Sequence, residues 1–320
     1  EYAVVDEAVE LTRFLGKSSA AGFVNGVLRS FLRQRHPLPA GNSLSSLSIR
    51  YSHPRWLVRR YISRYGLKAA RKLMARNNLP PDSCLRINTV RISTDDFLRR
   101  LEAEEIPYTL LPDLPACLKV GARGFNRHRL YTEGYSFYMN HGSQKVAAAV
   151  EVEPGMRIGD FCAAPGGKSF ILASRTGPGG LVLALDVSRS RLLQMKQRME
   201  LYGVGNCLLG CADLEKAGPP ARGLDAVLLD VPCSGIGTIR SNPDIRWIFR
   251  EEDLPRQQAR QAAILRNGFR CLDRKQKLFY TTCSTEPEEN EEVIRGFLRD
   301  EPGAELAGEP FHTLSYQDHG

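Results

Sequence analysis

Apolar residues recur along this chain with two periods, and the change between them falls near Gly142. Before it, helical spacing dominates. Val4, Val5, Ala8, Val9, Leu11 and Leu15 return every three to four positions and stop at Gly16. Ser18 or Ser19 is placed to cap a second helix carrying Phe23, Val24, Val27, Leu28, Phe31 and Leu32. The pattern predicts helix over residues 1–35, then a linker from His36 to Ser43 rich in Pro, Gly and Asn. Trp56, Leu57, Tyr61, Ile62 and Tyr65 mark the apolar face of a further helix. Residues 83–120 read as a small β-α-β unit: Cys84–Val90 alternates as a strand, Thr94–Glu102 is a capped helix, and strand character resumes at Tyr108–Leu111.

From Gly142 to about Phe311, short apolar runs alternate with helical stretches. Strands are expected at Arg157–Phe161, Leu181–Asp186, Asn206–Leu209, Ala226–Asp230 and Lys277–Thr281. Helices are expected at Gln144–Val150, Gly167–Arg175, Ser188–Tyr202, Glu252–Cys271 and Glu289–Asp300. Such alternation predicts an α/β domain with a doubly wound, Rossmann-like sheet.

Charge sharpens the division. The net charge of +8 is carried entirely by the first part: residues 1–140 hold 22 Lys/Arg against 12 Asp/Glu, and residues 141–320 hold 22 against 24. From Arg50 to Arg76 there are nine Lys/Arg and no acid. Ordinary surface helices intersperse signs, so this stretch points to a polyanion, RNA in particular. No apolar run approaches the ~20 residues a membrane helix needs, and no secretory signal is visible. The eight cysteines show no CxxC pair and no regular framework, which suggests free thiols in a reducing, cytoplasmic setting. Cys207 and Cys211 are spaced like half a zinc site, but no second Cys/His pair follows, so no metal is expected.

Two of those cysteines carry the chemistry. Cys233 lies in Asp230-Val-Pro-Cys-Ser-Gly and Cys283 in Thr281-Thr-Cys-Ser, each where a strand runs out into a loop. Strand ends are where open α/β sheets build their sites, and a thiol is suited to adding to an electron-poor ring carbon. The first expected strand ends in Asp160-Phe-Cys-Ala-Ala-Pro-Gly-Gly-Lys-Ser. Cys162 stands where a Walker A loop needs glycine, and no GxGxxG is present. What remains is a glycine turn into a helix, where backbone can approach a ligand closely. Asp186 is placed either to accept both hydroxyls of a ribose or to cap the helix from Ser188. Asp213 can reach an adenine amino group or simply shape its turn. Arg240, Asn242, Pro243, Asp244 and Arg246 either position RNA or fix their loop. The acidic run Glu286–Glu292 reads as helix capping.

CAAPGGKS, LALDVS, GCADL, DVPCSGIGTIRSNPDIRW and YTTCSTEPEENEEV resemble the successive motifs of the RsmB/NOP (Sun) family of RNA cytosine-5 methyltransferases. YSHPRWLVRRYISRYG and SSAAGFVNGVLRSFLRQ resemble its bacterial 16S ribosomal RNA branch. The resemblance implies S-adenosylmethionine as methyl donor. It implies that Cys162, Ala163, Ala164, Pro165, Gly166, Gly167 and Lys168 surround its methionine part, that Asp186 binds ribose and that Asp213 lies by adenine. Asp230 would lie between donor and base. Without the family the two cysteines are nearly even as nucleophile. The second motif, of the RNA type, assigns attack to Cys283 and product release to Cys233. The partner implied is RNA, with 16S ribosomal RNA ahead of a tRNA or another ribosomal RNA, acting through an unpaired or flipped cytosine. The enzyme is expected to be a monomer. A non-catalytic RNA-binding assembly factor is the alternative outside enzymes. The expected layout is residues 1–36 as the end of a NusB-like helical domain, 45–140 as a basic RNA-binding region, and 141–320 as the methyltransferase domain. On the family pattern the chain is a piece of a longer protein.

Overall fold

A computed structural model describes residues 2–34, 37–81, 83–122, 124–216, 218 and 221–312. His36 of the expected linker and residues 313–320 of the expected catalytic domain lie outside the described residues. By its contacts the chain forms two compact units, Glu1–Arg71 and Lys72–Gly320.

In the first unit, α1 (Tyr2–Phe14) and α2 (Ala21–Gln34) occupy the two expected helical runs, with Gly16 at φ 72° between them. Neither Ser18 nor Ser19 caps α2. They form a 3-10 turn, Ser18–Ala20, that runs straight into the helix. Val5 and Ala21 are buried, whereas Val4, Leu11, Leu15, Phe23, Val27 and Phe31 of the expected apolar faces are exposed. The third helix, α3 (Leu44–Tyr51), starts at Ser43, whose side chain accepts from the Ser46 N–H at 3.1 Å. His53 is wholly buried, with Nδ1 2.6 Å from the Tyr51 carbonyl and its ring edge-on to Tyr61. The basic helix α4 (Arg55–Asn77) is interrupted at Gly66, whose φ of 74° is open to glycine at little cost. Leu57 and Tyr61 of its expected apolar face are buried.

The second unit opens with a four-stranded antiparallel sheet, β1 (Cys84–Ile87), β2 (Tyr108–Leu110), β3 (Cys117–Val120) and β4 (Ser136–Tyr138), in the order β2-β3-β1-β4. The expected β-α-β unit is therefore corrected: β3, which sequence pattern missed, lies between β1 and β2, and β4 is added at the edge. Both missed strands are only three or four residues long, too short for alternation to register. Helix α5 (Thr94–Ala103) is capped by Ser93 and brings Phe97 and Leu101 into a core with Leu85, Ile87 and Leu118. A single-turn helix α6 (Arg129–Thr132) leads into β4.

The larger sheet is wholly parallel. It is built from β5 (Arg157–Phe161), β6 (Leu181–Asp186), β7 (Cys207–Cys211), β8 (Leu224–Asp230) and β9 (Leu272–Thr281), in the order β7-β6-β5-β8-β9. Around it lie α7 (His141–Ala149), α8 (Gly167–Thr176), α9 (Arg189–Tyr202), the short α10 (Ile245–Ile248), α11 (Leu254–Phe269) and α12 (Glu291–Asp300). The pleat sorts neighbouring residues to opposite faces. Ile158, Val182, Ala184, Ala226 and Leu228 pack with Ala147, Phe170, Leu172 and Met195 from α7–α9. Phe161, Leu185, Val227 and Leu229 pack with Ile264, Leu265, Val293 and Phe297 from α11 and α12. This is the doubly wound Rossmann-like arrangement, and its winding reverses between β5 and β8. In such sheets that reversal opens a crevice at the carboxyl ends of the strands.

The small sheet is joined to the large one by a compact aromatic seam. Phe137 of β4 stacks on Tyr202 at 4.8 Å and meets Phe170 edge-on at 5.0 Å. Asn88 donates to the carbonyls of Gly134 and Tyr202, at 2.7 and 2.9 Å. Phe170 is completely buried at the centre of this seam. Phe170→Ala is expected to destabilise the protein by about 3–5 kcal/mol, measured as the drop in unfolding free energy in urea.

Candidate active site at the carboxyl ends of the parallel strands

The crevice collects the ends of four strands. β5 leads through Cys162, at φ 66°, into the turn that starts α8. Ala163 donates its N–H to the Leu185 carbonyl and Ala164 to Asp186 Oδ2, at 2.9 and 3.1 Å, so the turn hangs from the end of β6. The two glycines also make room within the fold itself. A Cβ on Gly166 would lie 2.7 Å from Met195 Cγ, and one on Gly167 would lie 3.2 Å from Met139 Sδ. They let α9 and the segment after β4 close against the turn.

Asp186 makes the contact with the start of α9 that was one of the two roles weighed for it. Its Oδ1 accepts from the Ser188 N–H at 2.8 Å and from Arg191 at 3.0 Å, while Oδ2 holds the turn. Asp213 bonds to its own turn, through the Glu215 N–H and Lys216. Lys168 reaches across from α8 to Asp230 at the end of β8, Nζ to Oδ2 2.5 Å. Arg246 is buried and bonds to the Pro243 carbonyl, Asn78 and the Asn77 carbonyl, and Arg240 donates to the Pro80 carbonyl. Both arginines thus fix their loop.

Asp160 is the residue that sequence reasoning passed over. It is wholly buried on β5, takes a hydrogen bond from Ser169 on Oδ2, and leaves Oδ1 without a partner. Burial pushes its carboxyl up to about 7, and the charges of Asp230 and Asp186 add to the rise against Ser169 and Lys168. Burial, with Asp186, Asp230 and Asp160, raises the Cys162 thiol to about 12. An acid buried one residue before a strand end carried a signal in sequence only as a break in an apolar run.

The two candidate cysteines meet. Cys233 Sγ and Cys283 Sγ are 3.1 Å apart, Cys283 exposed and Cys233 half-buried. The loops are clamped together by the Gly237 N–H on the Cys283 carbonyl, at 2.9 Å. A Cβ at Gly237 would sit 2.6 Å from that carbonyl oxygen. The hydrogen bond from Cys233 lowers the Cys283 thiol, and Lys168 acts in the same sense against burial, Asp230 and Glu289. The same hydrogen bond, with burial and the charges of Cys283 and Glu289, raises Cys233 well above the ordinary thiol range. The acidic run is corrected as well: Glu291 and Glu292 sit in the first turn of α12, but Glu289 is wholly buried and bonds to the Cys233 loop.

The residues at the turn fit the methyl donor. S-adenosylmethionine carries a sulfonium and an ammonium, and the crevice offers three carboxylates in electrostatic reach of one another, Asp160, Asp186 and Asp230. One oxygen of Asp160 is still unpartnered. Fold and site together are those of an S-adenosylmethionine-dependent methyltransferase. A profile of the family described as 16S rRNA methyltransferase RsmB/F matches residues 147–320. A RsmF/B-like ferredoxin-like domain matches residues 53–124, and the NusB family residues 1–33. The probable ribosomal RNA small subunit methyltransferase B of Bacillus subtilis is 32% identical over 312 residues, which is 95% of this chain and 69% of that protein. The crystal structure of PH0851 superposes with a TM-score of 0.82 at 26% identity, over 92% of this chain and 67% of that one. A methyltransferase homolog from Pyrococcus horikoshii does so at 0.72 and 28%, over 82% and 83%. The chain belongs to the 16S rRNA methyltransferase RsmB/F family.

Two outcomes test this geometry. Gly237→Ala is expected to cut turnover by up to about 100-fold by prising the loops apart, with an unchanged circular dichroism spectrum. Asp160 holds its proton to a higher pH folded than unfolded, so its contribution to stability declines as pH rises from about 4 to about 7. Asp160→Asn is expected to abolish that decline, measured by urea unfolding at pH 5 and pH 8.

Proposed function

We propose that this enzyme transfers a methyl group from S-adenosylmethionine to C5 of a cytosine in 16S ribosomal RNA, through a covalent bond between Cys283 and C6. The 3.1 Å approach of two thiols at the donor site is the observation that carries the reading. Cytosine C5 is too weakly nucleophilic to take a methyl from a sulfonium unaided. Addition of the Cys283 thiolate at C6 breaks the ring conjugation and makes C5 enamine-like. Charge then grows toward N3, where the Lys168–Asp230 pair can supply a proton. S-adenosylmethionine supplies the methyl group. Loss of the C5 proton to a base then expels Cys283, and Cys233 serves this release.

The roles of the cofactor residues follow the same reading. Residues 162–168 hold the methionine part, with Asp186 at the ribose and Asp213 beside the adenine. The target cytosine must be unpaired or flipped out, because a stacked base cannot present C6 to a thiol. The Bacillus subtilis relative's name favours the small-subunit RNA, and the acid-free basic stretch from Arg50 to Arg76 favours a polyanion. We place the enzyme in the cytoplasm as a monomer. Its parts are a NusB-like helical region at 1–36, an RNA-binding region at 45–140 and the methyltransferase domain at 141–320.

Labelled methyl transfer onto unmodified 16S RNA, with 23S RNA and tRNA as controls, is expected to mark one cytosine of 16S alone. Cys283→Ala is expected to abolish transfer. Cys233→Ala is expected to accumulate a protein–RNA adduct, seen as a shifted band on a denaturing gel. Turnover by Cys283→Ala would reverse the roles of the two cysteines.

A further inference from the structure

Two thiols at this distance share one proton between them whenever one is ionised, and nothing in the motifs alone says which keeps it. Glu289 breaks that symmetry. It lies in the 3-10 turn Pro287–Glu289, before α12, completely buried, and it forms no ion pair among the described residues. An uncompensated buried carboxylate is costly, by several kcal/mol, which is out of proportion to capping one turn. Its carboxylate instead bonds to Ser234, next to Cys233, and to Gln261 of α11. Oε1 accepts the Ser234 N–H at 2.7 Å and Gln261 Nε2 at 3.0 Å, and Oε2 accepts the Ser234 hydroxyl. Ser234 follows Cys233 directly. Its one hydroxyl proton is given to Glu289, so the contact at 3.1 Å with Ser284 Oγ must be donated by Ser284. Ser284 follows Cys283 directly. A buried charge thereby orders two hydroxyls in series and ties together the residues next to both thiols.

We propose that Glu289 is the positioning residue that divides the labour of the cysteine pair: it fixes the gap between them and, by its buried charge behind Cys233, keeps the shared proton there, leaving Cys283 as the attacking thiolate. Of the other groups facing the pair, Lys168 lowers the Cys283 thiol while burial and Asp230 raise it, and the Glu289 charge raises both thiols. Lys168, held by Asp230, faces Cys283, and the Tyr280 hydroxyl donates to the Glu289 carbonyl on the Cys233 side. Cys283 is the more exposed thiol and the better solvated as an anion. This inference rests on the proposed cysteine chemistry, but it can fail independently, because thiol reactivity is measured without RNA or methyl donor.

The test is alkylation of the protein by iodoacetamide across pH 6–10, with each cysteine followed by peptide mass spectrometry. In the wild type, Cys283 should label first and Cys233 at distinctly higher pH. The reverse order would overturn the proposal at once. Glu289→Gln keeps the size and removes the charge. It should bring the Cys233 midpoint down by about one pH unit, a tenfold loss of labelling preference, and lower kcat with little change in KM for RNA. A folded Glu289→Gln with an unchanged pH profile at both cysteines would sink the idea. Should that variant not fold, Glu289→Asp, which keeps the charge but draws it back by one methylene, must give a smaller loss in the same direction; an unchanged preference there would count equally against it. Methyl transfer by the wild type alone reports on the proposed function, so the two failures stay distinguishable.

Discussion

The meeting of the two cysteines depends on one piece of backbone pairing, the parallel register of β8 with β9. Asp230 lies opposite Thr281, and the ladder runs one step further, with the Val231 N–H on the Thr281 carbonyl. Cys233 and Cys283 therefore leave adjacent strands at the same height, three and two residues past the paired ends. A slip of one residue would turn one of the side chains to the opposite face. The register is held by Val227 and Leu229 on one face and by Ala226 and Leu228 on the other, all buried. Packing in two cores thus sets the distance between two sulfur atoms.

Onto that frame the site adds charge with unusual economy. Asp160, Asp186 and Asp230 crowd the turn after β5, with Lys168 lying against Asp230 and Arg191 against Asp186. A crevice with surplus negative charge suits a cationic donor, and the repulsion among its acids is relieved when such a donor binds. Burial first, and the neighbouring acids second, keep Cys162 a thiol, whereas the hydrogen bond from Cys233 is what leans Cys283 toward the thiolate.

The large sheet and the site were readable in the sequence to different depths. Five parallel strands announced themselves because buried strands are nearly continuous apolar runs, and two of them, β5 and β6, have the expected bounds. The cysteine motifs stood out because thiols at strand ends have no ordinary packing role. What escaped was what depends on partners distant in sequence. β3 is a strand because β1 and β2 pair with it, and β4 because β1 does. Gly166 and Gly167 make room for methionines from elsewhere in the chain, which no turn pattern predicts. Glu289 stands two residues before Glu291 and Glu292, which do lie in the first turn of a helix, and its burial separates it from those two. Asp160 looked like an interruption in a strand until its orphaned oxygen was seen.

The aromatic seam has a consequence for modularity. The region matched by the family profile begins at residue 147, but Phe137 and Met139, which brace Phe170, Tyr202 and the Gly167 turn, precede it. The boundary of inheritance and the boundary of mechanical self-sufficiency are therefore different places in this chain. A piece cut at the former would expose one face of Tyr202 and lose Met139 from beside Gly167. The small sheet is part of the scaffold of the larger one, and the two cannot be separated without opening the seam between them.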